Sequence, residues 1–369
     1  VRRVSAEVIP YALPFKQPYV TARGVLQRRE MVLLRLRDED GVVGLGEAVP
    51  LALRGGAGLG QVVRELEGWA ERPESAEGQL GEGLSAPAKG AVATARMDLL
   101  GRRAGDGGDQ RTHSPSVAVS TESVPCNATL VAGPPTEVAT EAERWVADGF
   151  MTFKLKLGAE TATVPHIGAP LRFRGAGDVA QVRAVREAVG DAARIRVDVN
   201  AAWDLETAKR TLAELEPFGI ELAEQPVATL EEMAELAAST SIPLAADESV
   251  ASLDEAERAV AMGACAYTGI KLSKVGGPEE ALAIADVLPA YVSSALDGPV
   301  GIAAGAQVAL SLAEHPERLE LAHGLATQRL FAETIASVEC ALRDGMLHLP
   351  PGPGLGVEID EEALQAHRI

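Results

Sequence analysis

The chain has 369 residues, 47% of them hydrophobic and only 4% aromatic, so its core must be largely aliphatic. That length exceeds one small core and suits two domains, or one large barrel with additions. With 53 acidic against 34 basic residues and a formal charge of −19, the composition disfavours nucleic acid and anionic membrane as partners, since both need a basic face.

An anionic small molecule stays open as a partner, held by locally placed cations. Cys126, Cys265 and Cys340 form neither a CxxC nor an even framework, which predicts a reducing compartment. No apolar run reaches spanning length, and the opening Val1-Arg-Arg-Val4 lacks the apolar stretch of a signal peptide. A cytoplasmic globular protein is expected, with a homo-oligomer left open.

Residues 1–123 predict an α+β unit. Arg3–Ile9 and Met31–Arg37 read as strands, Asp38–Gly41 as a hairpin turn and Val42–Glu47 as the return strand. Between the first two, Phe15–Gly24 predicts a loop carrying aromatic and cationic groups, Tyr19 and Arg23 among them. Pro50–Gly60 is too rich in glycine for a packed element and predicts a mobile loop. Helices are expected over 61–72 and 86–103, and residues 104–123 lose periodicity as a linker would.

From 124 to 326 strands and helices alternate. Val124–Val131 and Met151–Leu157 predict two strands around a helix over 136–148, and a less regular insert occupies 159–177. Helix 178–189, strand 194–199, helix 204–216, strand 219–223, helix 229–239, strand 242–246 and helix 253–262 follow. Strand 266–271, helix 278–287, strand 290–294 and helix 299–313 complete the series. Strict alternation predicts a parallel sheet, and about eight repeats predict closure into a barrel. No Gly-x-Gly-x-x-Gly follows the first strand, which counts against a dinucleotide-binding fold. The turn-rich segment 327–369 is expected to pack back on the N-terminal unit.

In a parallel barrel the C-terminal strand ends face the active site. Asp198, Glu224, Asp247 and Lys271 stand at such ends, at intervals of 26, 23 and 24 residues. Lys154 and Lys156, two apart and so on one face, belong to the second strand. Three carboxylates on adjacent strands repel one another in a semi-buried mouth unless a cation neutralises them. Oxygen ligands without His or Cys select Mg²⁺ or Mn²⁺ over zinc. A lysine on either side then suits proton abstraction α to a carboxylate, with positive charge holding the enediolate that forms.

Singly, each residue has a plainer role: a strand-end Asp caps a helix, and a lysine is a solvated charge. Five charged residues in Lys-Asp-Glu-Asp-Lys order at repeat spacing are harder to explain that way. Asn200, Glu248 and Lys274 are expected around the ligands, with Ser293, Ser294 and Asp297 at the seventh strand end. His323 is expected in a core or loop role. A barrel that binds metal and ligand without turnover is the competing class, but it would need neither Lys156 nor Lys271.

These motifs resemble those of the enolase superfamily, in its muconate lactonizing branch: Lys154-Leu-Lys156, Asp198-Val-Asn200, Glu224-Gln-Pro226, Asp247-Glu-Ser249 and Ile270-Lys-Leu-Ser-Lys-Val-Gly-Gly277. Gly44-Leu-Gly-Glu47 and Pro353-Gly-Leu-Gly-Val357 extend the likeness to both ends. Within the branch, Val124-Pro-Cys-Asn-Ala-Thr129, Asn200-Ala-Ala-Trp-Asp204, Val292-Ser-Ser-Ala-Leu-Asp297 and His323-Gly-Leu-Ala-Thr327 resemble the actinobacterial o-succinylbenzoate synthases most.

The resemblance implies a modified TIM barrel, (β/α)7β-like, under an α+β capping domain built from the N-terminal region and the C-terminal tail. It implies Mg²⁺ on Asp198, Glu224 and Asp247, Lys156 as base and Lys271 on the opposite face, with a small carboxylate as substrate. Asp297-Gly-Pro299 is closer to the muconate cycloisomerases, and racemization of N-acylamino acids or epimerization of dipeptides also stays open.

Overall fold

The computed structural model describes residues 4–21, 24–52, 55–71, 83–107, 123–158, 176–313 and 321–369. The N-terminal region opens with an antiparallel sheet of β1 (Val4–Thr21), β2 (Gly24–Asp38) and β3 (Val43–Ala48), in that spatial order. Helices α1 (Leu59–Ala70) and α2 (Ala86–Gly107) cover one face. Period-two alternation divides β2 cleanly. Val32, Leu34 and Leu36 meet Val62, Leu66 and Trp69 of α1 and the small residues Ala88, Ala91 and Ala95 of α2. Met31 and Leu33 face the other way, into the large core shared with the barrel. Each of the Val, Leu and Met side chains among these, once fully buried, contributes roughly 1.5–3 kcal/mol.

Two expectations for this region are corrected. The loop expected over Phe15–Gly24 is strand, because β1 continues to Thr21 and pairs with β2 as far as Gly24. Its register shifts between Pro14 and Tyr19, where Phe15 bridges to Phe331 of the tail and stacks its ring on both Phe331 and Tyr19. In the glycine-rich stretch after Pro50, the described residues form a hydrogen-bonded turn, with Leu51 and Ala57 joined at 2.9 Å, and α1 already begins at Leu59.

The single strand expected over Val124–Val131 is two. β4 (Ser123–Pro125) and β5 (Ala128–Leu130) belong to different sheets, and the chain crosses between them where Cys126 N bonds Gly345 O and Asn127 N bonds His323 O. The barrel then runs α3 (Pro135–Ala147), β6 (Thr152–Lys156), α4 (Ala176–Val189), β7 (Arg194–Asp198), α5 (Leu205–Leu215), β8 (Ile220–Glu224) and α6 (Leu230–Ala237). It continues with β9 (Leu244–Ala246), α7 (Leu253–Met262), β10 (Tyr267–Ile270), a short α8 (Leu272–Val275), α9 (Pro278–Val287), β11 (Ala290–Val292) and α10 (Pro299–Ala313).

Helix starts follow their caps: Asp204 accepts from Thr207 N, and Thr229 with Glu232 forms a reciprocal capping box. Strands β5 to β11 lie parallel in sequence order. His323 and Gly324 close the ring, bridging in parallel to Cys126 at one edge and Ser293 at the other.

The tail adds β12 (Ala336–Val338), β13 (Ala341–Arg343), β14 (Met346–His348), β15 (Glu358–Ile359) and α11 (Glu361–His367). β14 pairs with β4, and the last residues return to β1, where Ile369 N bonds Pro10 O. Residues 108–122 of the expected linker and 159–175 of the expected insert lie outside the described residues. Among the described residues, no helix is long and apolar enough to cross a membrane.

Candidate active site

Five parallel strands in a row carry charge at the same end. β6 contributes Lys154 and Lys156, β7 ends on Asp198, β8 ends on Glu224, and Asp247 and Lys271 directly follow β9 and β10. The ladder fixes the alignment, since Lys156 pairs with Asp198 and Asp198 with Glu224 in register. All three carboxylates are fully buried.

The charges alternate in space. Lys156 Nζ lies 2.5 Å from Asp198 Oδ2 and 3.0 Å from Asn200 Oδ1. Lys154 Nζ spans two acids, at 2.9 Å from Asp198 Oδ2 and 2.7 Å from Glu224 Oε2. Lys271 pairs with Asp247 and stands 3.9 Å from Glu224 Oε1. Lys274 reaches Asp247 Oδ1 at 3.1 Å from below, and its remaining donors meet backbone oxygens, Gly269 O at 3.0 Å among them. Asn200, at positive φ, donates to Glu248 at 3.2 Å.

Burial penalises every one of these charges, and pairing decides the outcome. The Asp198 carboxyl, buried but facing Lys154 and then Lys156 and Lys271, is held well below the usual carboxylate range. Burial works against the Lys154 ammonium, yet Asp198 and Glu224 together push it well above an ordinary lysine. Lys156 is likewise raised against its burial, by Asp198 foremost.

Above the charges lies a small cavity, about 70 Å³ of enclosed space, that opens to solvent. Lys154, Lys156, Asn200, Lys271, Ser293 and Ser294 all line it, so the structure brings most of the expected residues together. Tyr19 reaches it from β1, whereas Arg23 lies outside the described residues. Asp297 does not line the cavity; its carboxyl is buried behind it, accepting from Ser294 Oγ at 2.7 Å and Ala295 N at 2.6 Å.

Several participants escaped the sequence. Tyr291, inside β11, donates its hydroxyl to Glu224 Oε2 at 2.5 Å, with the Arg196 guanidinium 5.0 Å above its ring. Gln225, at φ 39°, turns its side-chain oxygen to accept from Asp247 N and Ser249, fixing the loop that presents Asp247. Arg29 crosses from β2 to Ala295 O and Pro50 O at the rim. Thr327 also lines the cavity, its buried hydroxyl meeting no partner among the described residues. Gln225 and Thr327 had a signal, their places in Glu224-Gln-Pro226 and His323-Gly-Leu-Ala-Thr327. His323 has the core role expected: its Nδ1 accepts from Val292 N, and burial followed by Arg196 pushes its pKa down to about 3.

Among the described residues, no three His, Cys, Asp or Glu side chains are gathered closely enough to hold an ion directly. Lys154 stands between Asp198 and Glu224, and Lys271 between Glu224 and Asp247. The donor chemistry nevertheless fits a hard divalent cation: three carboxylates, buried, with oxygen as the sole ligand element and already bridged by single cationic groups.

Residues 3–107 match the family described as mandelate racemase/muconate lactonizing enzyme, N-terminal domain, and residues 137–363 match enolase C-terminal domain-like proteins. An o-succinylbenzoate synthase from Thermobifida fusca is 40% identical over 212 residues, which span 57% of this chain and 61% of that protein, less than two thirds of its length. Muconate cycloisomerase 1 from Pseudomonas putida is 29% identical over 99% of this chain and 97% of its own. A solved muconate lactonizing enzyme from Pseudomonas fluorescens, in complex with muconolactone, superposes over 100% of both chains with a TM-score of 0.81 at 28% identity.

Proposed function

The chain belongs to the enolase superfamily as an enzyme of its muconate lactonizing subgroup, and from that premise we propose that it is an o-succinylbenzoate synthase-like dehydratase acting on a small carboxylate. The observation that carries this reading is the placement of Lys156 and Lys271, which flank the three buried carboxylates and line one cavity. A lysine on each side gives a proton acceptor on one face of a substrate and a cation on the other.

Asp198, Glu224 and Asp247 would hold Mg²⁺, or Mn²⁺, as their oxygen chemistry allows. When bound, the cation would neutralise a substrate carboxylate and compete with the ammonium groups for their carboxylate partners. With a cation on Asp198 in place of the ammonium, the like charge would favour Lys156 as the free amine, which takes the proton α to that carboxylate while the C–H electrons pass into an enediolate. Lys271, as an ammonium, stabilises that negative charge from the opposite side. The enediolate collapses, a carbon–carbon double bond forms, and the β-hydroxyl departs as water with the proton that Lys156 had accepted. Asn200 keeps the Lys156 side chain aimed, and Lys154 and Lys274 fix the carboxylates from behind.

A muconate cycloisomerase is the second reading. It is favoured by the near full-length match to such an enzyme and by Asp297 at the seventh strand end. One assay separates the two: absorbance change with the cyclohexadiene precursor of o-succinylbenzoate, with cis,cis-muconate and with N-succinyl amino acids, each with and without Mg²⁺. The precursor should turn over in a Mg²⁺-dependent way, and Lys156→Ala or Lys271→Ala should lower the rate by about a thousandfold. Faster turnover of muconate would hand the assignment to the second reading. Undiminished activity in either lysine variant would remove the proposed chemistry altogether.

A further inference from the structure

Behind the cavity wall, where the N-terminal sheet meets the barrel, two carboxyl groups border one small space, and among the described residues no lysine is paired with either. Glu47 comes from β3 and Asp297 from the segment between β11 and α10; both are buried. Glu47 Oε2 accepts from Tyr11 Oη at 2.9 Å and Oε1 accepts from Gly298 N at 2.6 Å. A side chain at Gly301 would sit 2.9 Å from Glu47 Oε1 and 3.0 Å from Asp297 Oδ1, so the two carboxyls flank one small space that only glycine leaves open. On its far side Asp297 accepts from Ser294 Oγ while its own N–H donates back to that hydroxyl at 2.8 Å. Ser294 lines the cavity, so an unbroken path runs from the N-terminal sheet to the cavity wall.

We propose that Glu47 and Asp297 act as one carboxyl pair that retains a proton, and that through this pair the N-terminal sheet positions the Ser294 wall of the cavity. Two like charges in a shared buried space cannot both ionise cheaply, so the pair titrates as a unit. Among the described residues the pair meets the Tyr11 hydroxyl from the sheet, Arg29 from β2, the Ser294 hydroxyl, and the amides of Ala295, Gly298 and Gly301, with Glu339 of the tail acting on Tyr11 behind them. Tyr11 is kept neutral, its pKa raised by burial and then by Glu47. Arg29 opposes the burial of Asp297, and its Nη2 also donates to Pro50 O and Ala295 O. Burial, with Asp297 second, lifts Glu47 to about 7.

Glu47 is a positioning residue here and touches no reacting atom. A group whose pKa is raised on folding favours the folded state fully below its unfolded value. That advantage shrinks as the pH rises toward its folded value. The thermal midpoint of the wild type should therefore fall between pH 5 and about 7 and level off above it.

Glu47→Gln keeps the volume and an acceptor for Gly298 N but cannot ionise, and it should flatten that fall. In the infrared spectrum the wild type should carry a protonated carboxyl band at pH 6 that is absent from Glu47→Gln and weakened in Asp297→Asn. Amide hydrogen exchange across 294–301, corrected for its intrinsic pH dependence, should speed up by about tenfold at pH 8.5 in the wild type and not in Glu47→Gln. These measurements need no substrate, so they stand or fall apart from the dehydratase assignment. An unchanged pH profile in Glu47→Gln, or no protonated carboxyl at pH 6 that this variant removes, overturns the proposal.

Discussion

At Glu224 a carboxylate with no exposure is shared between Lys154, Lys271 and the phenol of Tyr291. The two lysines are charges that a bound cation would compete with, but the phenol is neutral and need not move. It can therefore hold one carboxylate oxygen in place whatever else happens at the site, as outer hydrogen bonds do around metal ligands. Tyr291→Phe keeps the ring beneath Arg196 and removes only the donor. Calorimetric titration should show Mg²⁺ affinity weakened by about tenfold. Denaturant unfolding should show a loss of about 1–3 kcal/mol for the carboxylate left short of a partner. Unaltered Mg²⁺ binding in a folded Tyr291→Phe protein would reduce the hydroxyl to a packing detail.

At the scale of an element, β3 shows how the site is tied to the sheet that covers it. Its two faces do different work. Gly44 and Gly46 point to α2, where a side chain at Gly46 would run into the carbonyl of Ala91 and one at Gly44 into that of Ala95. Leu45 and Glu47 point the other way, toward the barrel. Gly46→Ala must push α2 off the sheet or bend the strand, at a cost of about 1–3 kcal/mol in chemical denaturation. A variant as stable as the wild type would mean that helix and strand slide freely past one another.

The same strand marks the limit of what its residues disclose. Alternation and repeat length made the barrel strands and their terminal acids legible, because a parallel strand end is both a chain position and a place in space. Glu47 carried no such label, since its partners Gly298 and Asp297 stand some 250 positions away in the chain. Tyr291 was hidden for another reason: a tyrosine between Ala290 and Val292 in a strand looks like any core residue. The strand over 15–21 was missed because its pairing partner after Pro14 includes the tail, which no local period reports.

Across the whole molecule, the segment after the barrel does more than fill a gap. β14 pairs with β4 at the barrel's entry, Arg35 of β2 meets Glu361 of α11, and Asp98 ties its own helix to two other parts at once. From α2, Asp98 Oδ2 accepts from Leu45 N of β3 at 2.8 Å and from Arg102 Nε at 2.9 Å, while Oδ1 accepts from Leu355 N of the tail at 2.7 Å. Burial raises the pKa of this carboxyl, and Arg102 and the two amides act against that rise. Removing it strands two buried N–H donors and a guanidinium together, so Asp98→Ala should lose about 2–5 kcal/mol in thermal or denaturant unfolding. The loss should not stay local. Hydrogen exchange should quicken in 353–357 and in β3, and through β3 it should reach the Gly298 amide that Glu47 holds. Asp98→Asn, which keeps an acceptor for one amide, should fall between the two. If Asp98→Ala loosened the tail alone and left β3 protected, tail and covering sheet would be independent attachments to the barrel rather than one clamp over its mouth.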